Sequence, residues 1–400
     1  MFTLIYNEIR KLVKRPKTII VYIAFIALIA VVSVAGYKSE QRRIKSNTPE
    51  AQLEMYTNYR ESLLDQKNNA PEDEKASIDS NIKEIEKEIM ELESLIKSGK
   101  KERDWKAELR TNIEAIEKEL ANSDNKSTDK HNQQLELNKL KYLYDNNINP
   151  QEEYAFNGFN FLKTLVNDIL GSLLLVIGVI LFVADIVSGE CTPPTLKFLL
   201  IQPVSRGKVL LSKFIAVTIS AIFLIISSEL IFFVIIGLLL GFGNPSLPVI
   251  TGTLYKFDYS KLDMFGNPAF VELANSSKMV PVWQYTLNML LMQTLFIVAC
   301  VAFAFLVSSI LKSSMASMTL GIISVIMATI LSQVIPAVIK RSHYLFISYG
   351  NISNLFDGNL AQRLQNPSIT TTYGITVLLV WTIVCYLISH FVFTKRDILI

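Results

Sequence analysis

Residues Asp185 to Lys213, DIVSGECTPPTLKFLLIQPVSRGKVLLSK, form a charged and proline-broken island between two long apolar runs. On its amino-terminal side, Phe161 to Ala184 is almost free of charge. At ~1.5 Å per residue this run is long enough to cross a hydrocarbon core of ~30 Å as a helix. Phe214 to Phe242 does the same on the other side. A short island between two spans lies at one membrane face, and this one carries Lys197, Arg206, Lys208 and Lys213 against Asp185 and Glu190. Excess Lys and Arg in a short loop assigns that face to the cytoplasm. Gly189 and Pro193-Pro194 break the first helix, and Thr195 to Ile201 has room for about two helical turns before Pro203 stops them. The predicted product is a short, mostly apolar helix at the cytoplasmic surface, badly satisfied by water and suited to docking another protein. The plainer alternative is a basic connector that only obeys the charge rule.

The composition around the island agrees with a membrane setting. Half of the 400 residues are hydrophobic, 50%, and the mean hydropathy is +0.33, so the chain is a polytopic membrane protein. The net charge of +3 hides a division. The stretch from Lys38 to Glu153 is net acidic, while the remainder, with its cytoplasmic loops, is basic as topology demands. No nucleic-acid partner is expected. Cys191, Cys300 and Cys385 lie in the island or in spans, and the polar stretch contains none, which excludes a disulfide framework there. Richness in Lys, Asn and Ile, with an exported segment free of cysteine, suits a Gram-positive bacterial source.

Read in order, residues 1–16 put Phe2, Ile5, Tyr6, Ile9, Leu12 and Val13 on one helical stripe among basic residues, the pattern of a cytoplasmic interfacial helix. Residues 17–36 form span one, an apolar run longer than a signal-peptide core of ~7–15 residues, and read as an uncleaved anchor. Residues 37–160 are then external. Ile82, Ile85, Ile89, Leu92 and Ile96 keep a 3-4-3-4 spacing, and so do Leu109, Ile113, Ile116 and Leu120, with Ser98-Gly99-Lys100 as a turn between them. A third helix covers Gln133 to Tyr144. The expectation is a narrow helical bundle, the alternative a solvated charge-rich loop. Span two is 161–184, the loop is 185–213, and span three is 214–242. An external segment, 243–281, carries Tyr255, Phe257, Tyr259, Phe265 and Phe270 and is expected to rest on the membrane interface. Spans four (282–308) and five (316–336) flank a turn at Lys312. Residues 337–372 are external or re-entrant, with Tyr344 to Leu355 between lipid and water. Span six is 373–394, and the tail 395–400 is cytoplasmic. The fold class is all-α, with six transmembrane helices and both termini in the cytoplasm.

This layout, with Gly189-Glu190, Thr195-Leu196, Leu199-Leu200, Gln202 to Arg206 and Lys213 in the island, resembles the ABC-2-type permeases of ABC transporters. The resemblance runs along nearly the whole membrane part; the helical insert departs from compact members. It implies that Glu190, Thr195, Leu196, Phe198, Leu199 and Leu200 couple to a separate ATP-binding subunit, which would hold ATP and Mg. It implies also a second permease chain, identical or related, beside the first. Membrane lipid is a partner of any such chain, and the insert 37–160 offers a surface for an external partner.

No catalytic or cofactor-binding motif of the usual kinds occurs. G-x-x-x-x-G-K-[ST], H-E-x-x-H and G-x-S-x-G are absent, and His131, His343 and His390 are far apart in sequence. No catalytic residue, resident cofactor or metal is therefore expected on this chain. The exceptional residue is Glu229, mid-span in LIISSELIFFV, because a carboxylate at that depth costs about 2.5–3.5 kcal/mol or more. With Ser227, Ser228, Asn288 and Gln293 it is read either as lining a translocation path or binding a cationic substrate, or as a packing residue at a subunit interface. Two functions follow: an ATP-driven exporter of a peptide, lipid, drug or cation, or an ATP-driven mechanotransmitter or sensor whose external bundle acts on an envelope partner without transport.

Overall fold

The computed structural model of the chain describes every residue except 100–103, 123–126, 172, 191–204, 263, 265 and 396–400. The chain opens with α1 (Phe2–Val13) and α2 (Pro16–Ser46), followed by α3 (Pro49–Asn69), α4 (Glu72–Lys97), α5 (Trp105–Asn122) and α6 (Ser127–Asp145). Next come α7 (Gly158–Thr164), a π-helical stretch (Leu165–Leu170), α8 (Leu174–Val183) and, past a single turn at Ser188–Glu190 and the island, α9 (Arg206–Leu240). Strands β1 (Pro248–Thr251), β2 (Tyr255–Leu262), β3 (Pro268–Glu272) and β4 (Lys278–Pro281) precede α10 (Val282–Ile310) and α11 (Ser314–Val334). The short α12 (Pro336–Ile339), α13 (Ile352–Phe356) and α14 (Asn359–Leu364) lead to α15 (Thr371–Lys395).

The chain divides into two compact units, Met1–Ser33 with Asn125–Asn132 and Asn157–Ile400, and Val34–Asp124 with Gln133–Phe156. In the first, α10 is the central helix. It buries Met289, Phe296, Ile297, Cys300, Val301 and Phe305 against α8, α9 and α15. By contrast, Ile20, Ile23 and Val31 of α2 and Leu320, Met327 and Val334 of α11 face outward, as side chains bathed in lipid do. Among the described residues, α2, α9, α10, α11 and α15 are each long and apolar enough to cross a membrane, five spans in all, or six if one bent pair counts as a span.

That pair is the segment read as a continuous second span, and here the expectation needs correction. Its halves are bent by 71°. Gly171, at φ +36°, ends the π-helical stretch, with its N–H donating to the Val166 carbonyl. Such a break is a position for glycine, because a Cβ would crowd the Asn167 carbonyl oxygen at 3.0 Å.

The all-α expectation is also incomplete, because four strands form between Pro248 and Pro281. β1 pairs antiparallel with β4, and β2 with β3, so that Phe257 lies opposite Phe270 and Tyr255 stacks on Phe270. Of the aromatic residues expected at the lipid interface, Tyr255, Phe257 and Phe270 instead satisfy one another across a ladder, as aromatic and β-branched alternation favours, while Tyr259 is exposed and Phe265 lies outside the described residues. Likewise Phe346, Ile347, Tyr349, Ile352 and Leu355 are buried in protein rather than lying between lipid and water. The Tyr349 hydroxyl donates to the His343 carbonyl at 2.6 Å, and Gly252 N–H donates to the Phe356 carbonyl at 2.7 Å. These bonds make residues 342–364 a cap tied to β1.

In the second unit, α3 and α4 fold back on each other about Ala70-Pro71. Leu63, Ile82, Ile89 and Leu92 are buried, and Lys67 meets Asp79 at 2.5 Å. Leu109, Leu137 and Leu143 are buried along α5 and α6, where Lys141 meets Glu117 at 2.7 Å. The helix α3 and the continuation of α2 beyond Gly36 were not expected from the sequence. The signal for α3 was present: Thr48 caps it by accepting the Ala51 N–H, and Pro49 stands at its first position.

Candidate functional site

The described parts of the island on either side of 191–204, its central stretch, are joined through charge. Glu190, the last described residue before it, is almost wholly buried. Its Oε1 accepts from Lys213 Nζ of α9 at 2.6 Å and from Lys11 Nζ of α1 at 2.9 Å. Lys213 is 1% exposed and also donates to Glu8 Oε2 of α1 at 3.0 Å. Glu8, Lys11, Glu190 and Lys213 thus form a neutral quartet that pins the two flanks of the island to each other and both to α1. Burial pushes the Glu190 carboxyl up, but Lys213 and Lys11 together outweigh it and hold the group below the ordinary carboxylate value.

The approach to Glu190 is fixed by further helices. Asp185 pairs with Lys17 of α2 at 2.9 Å and with Arg15 at 3.8 Å. The backbone N–H groups of Val187 and Ser188 both donate to Ser308 Oγ at the end of α10, at 3.1 Å each. Gly189 packs against Ser314 of α11, whose Oγ a Cβ would meet at 3.2 Å. Residues 185–190 therefore touch α1, α2, α9, α10 and α11 within one short turn. Of the residues expected to couple to an ATP-binding subunit, Glu190 belongs to this hub; Thr195, Leu196, Phe198, Leu199 and Leu200 lie outside the described residues.

Glu229 is fully buried, and its Oε1 accepts from Gln293 Nε2 of α10 at 2.7 Å. Glu229 Oε2 and Gln293 Oε1 have no hydrogen-bond partner. Ser228 is buried beside it but turns its hydroxyl to the Leu224 carbonyl of its own helix, at 2.7 Å. Asn288 is exposed and does not join the pair. Of the five residues assigned to a path, Glu229 and Gln293 come together, linking α9 to α10 at a polar point in otherwise apolar packing, and Ser227, like Ser228, bonds the Leu224 carbonyl of its own helix.

In the π-helical stretch after α7, Asn167 accepts the Ser353 N–H at 2.9 Å and donates to the Lys163 carbonyl at 2.8 Å, tying the broken segment to the cap. Asp357 in the cap has an unpartnered buried Oδ1. Burial lifts its carboxyl to about 6, against an opposing pull from Lys163. Among the described residues no group of three or more His, Cys, Asp or Glu side chains is placed to hold a metal ion. Cys300 and Cys385 are buried free thiols.

Sequence reasoning missed Glu8, Lys11 and the inward role of Lys213. The signals were a lone acid in the otherwise basic stretch Met1 to Arg15, with a lysine three residues on, and a lysine opening an apolar run. The space beside Gly178 is open, with nothing within 4 Å of where its Cβ would stand, whereas a Cβ at Gly321 would meet Ile180 at 3.0 Å.

Comparison with known proteins agrees with this layout. The family model described as ABC-2 family transporter protein matches residues 2–398. The chain is also similar to the uncharacterised protein YhcI of Bacillus subtilis (strain 168), 25% identical over 224 residues. That match spans 55% of this chain and 63% of the relative, so the chain covers less than two thirds of the relative's length.

Proposed function

We propose that this chain, which belongs to the ABC-2 transporter family, is the membrane subunit of an ATP-driven exporter that works with a separate ATP-binding subunit. It is a multi-pass membrane protein. The single observation carrying the proposal is the quartet Glu8, Lys11, Glu190 and Lys213, which braces both flanks of the 191–204 island against the helical core. A loop that receives force from a moving partner needs such a mount, since a flexibly held loop would absorb the displacement itself. On this reading the island carries the docking helix at Thr195 to Ile201. Two permease chains and two ATP-binding subunits make the working unit, and ATP and Mg are held by the latter. ATP-driven closure moves the island, and the hub at 185–190 passes the motion to α1, α2, α9, α10 and α11 together. The Glu229–Gln293 pair is then the polar point of the path.

The test is co-purification from the native membrane with an ATP-hydrolysis assay, beside the variant Leu196→Glu, Leu199→Glu. Loss of a co-purifying ATP-binding subunit in the variant is expected. An intact complex moves the docking site elsewhere, and absence of ATPase from the wild-type preparation counts against the exporter.

A second reading is favoured by one observation: much of the 37–160 insert forms a compact unit of its own. On it the chain is an ATP-driven mechanotransmitter whose external unit acts on an envelope partner. Deletion of residues 50–147 separates the two, because an exporter with an accessory unit retains flux and a mechanotransmitter loses all output.

A further inference from the structure

We infer that the groove between α2, α8 and α9 is a resident-lipid site, holding one acyl chain of an anionic glycerophospholipid whose phosphate lies at Arg15 and Lys17. The groove has a volume of about 340 Å³, in the range of ligand sites rather than packing defects. Its walls come from α2, α8 and α9, among them Ile20, Phe25 and Leu28, Leu174 and Phe182, and Ile225, and are apolar throughout apart from Tyr22. Gly178 opens it, because nothing lies within 4 Å of where its Cβ would stand.

Hydrocarbon alone selects nothing in a bilayer, since the surrounding tails are as apolar as the groove. Selection comes from one end. Lys17 lies one helical turn before Ile20, and Asp185 one turn after Phe182, so their 2.9 Å ion pair sits where these two walls of the groove end. Arg15 approaches the same carboxylate at 3.8 Å. Two cations share one anion there, leaving one positive charge, and all three side chains are only partly exposed. That surplus beside an apolar slot complements a phosphodiester attached to an acyl chain. The site does not depend on which partner the island engages, so it and the permease reading can fail separately.

The experiment is native mass spectrometry of the full-length chain titrated with 1-palmitoyl-2-oleoyl-phosphatidylglycerol or the matching phosphatidylcholine. The wild type retains one phosphatidylglycerol per chain and holds phosphatidylcholine at least about tenfold more weakly. Gly178→Leu, which fills the groove while replacing a poor helix former by a good one, abolishes retention. Leu28→Trp fills it from the opposite wall and does the same, which covers a failure of the first variant to fold. Arg15→Gln removes the preference for the anionic lipid, and Leu320→Ala, on the outward face of α11, changes nothing. Equal retention of both lipids by the wild type, or undiminished phosphatidylglycerol retention in a folded groove-filled variant, overturns the assignment.

Discussion

Replacing Lys213 by Met tests the charge quartet most directly, because Met keeps the length of the side chain and removes only the ammonium. In the wild type that ammonium lies 2.6 Å from Glu190 Oε1 and 3.0 Å from Glu8 Oε2, at 1% exposure. Its loss leaves two carboxylates facing one ammonium, that of Lys11, which is half exposed at 47%. Removing one partner of a buried pair costs about 3–5 kcal/mol. Lys11 remains on Glu190 at 2.9 Å, so the lower end, ~3 kcal/mol, applies. That predicts a fall in Tm of roughly 3–4 °C at neutral pH for a chain of this length. The sign of the pH dependence follows from Glu190. Its folded value lies below the ordinary one, so it contributes stability at neutral pH that is lost as pH falls through that lowered value. In the variant burial dominates and the carboxyl rises above its ordinary value. The deficit is then largest at neutral pH and narrows towards about pH 4, where protonation removes the orphaned charge. Thermal unfolding of the purified chain in detergent between about pH 4 and pH 8 measures this, and Glu190→Gln in the same chain recovers part of the loss. A variant within ~1 °C of wild type at neutral pH, or a deficit that does not change with pH, refutes the reasoning.

Three further outcomes can be checked. Asp357→Asn stabilises the protein at neutral pH by about 1–2 kcal/mol, because burial lifts the carboxyl to about 6 and ionised Asp357 costs stability as pH rises through that value; unfolding at about pH 4 and pH 7.5 reads the difference, which vanishes at the acid end. Gly358→Ala destabilises the cap by at least ~2 kcal/mol, since Gly358 sits at φ +78° and a Cβ would run into the Thr253 carbonyl oxygen; faster proteolysis between residues 342 and 364 is the readout. Glu229→Gln leaves the chain folded and lowers transport-coupled ATPase, whereas Glu229→Leu also strips Gln293 of its partner at about 0.6–1.7 kcal/mol; unchanged ATPase in both variants would make the pair a packing contact.

The membrane-spanning helices were legible because a bilayer demands long uncharged runs, and α9, α10, α11 and α15 stand out by hydropathy alone. The exceptions have local chemistry behind them. Span two breaks where Asn167, Asp168 and Gly171 interrupt an apolar run. The strands between Pro248 and Pro281 are too short and too mixed in polarity to stand out beside six long hydrophobic signals. In the site, Glu190 and Glu229 could be singled out because a carboxylate beside or within a span must find a partner. Their partners could not be named, because Glu8 lies 182 positions from Glu190, and Gln293 lies 64 from Glu229.

By itself the sequence determined the membrane class of the protein, the helical runs and the island between two of them, because hydropathy and proline placement act over tens of neighbouring residues. Only the tertiary structure decided that α1 braces the flanks of that island, that Asn288 stands apart from Glu229, and that Gly178 opens a groove instead of closing a contact. Those outcomes depend on which helix faces meet. A buried charge prescribes that a counter-charge must come near it, but many residues satisfy that condition equally, and only packing in three dimensions selects one.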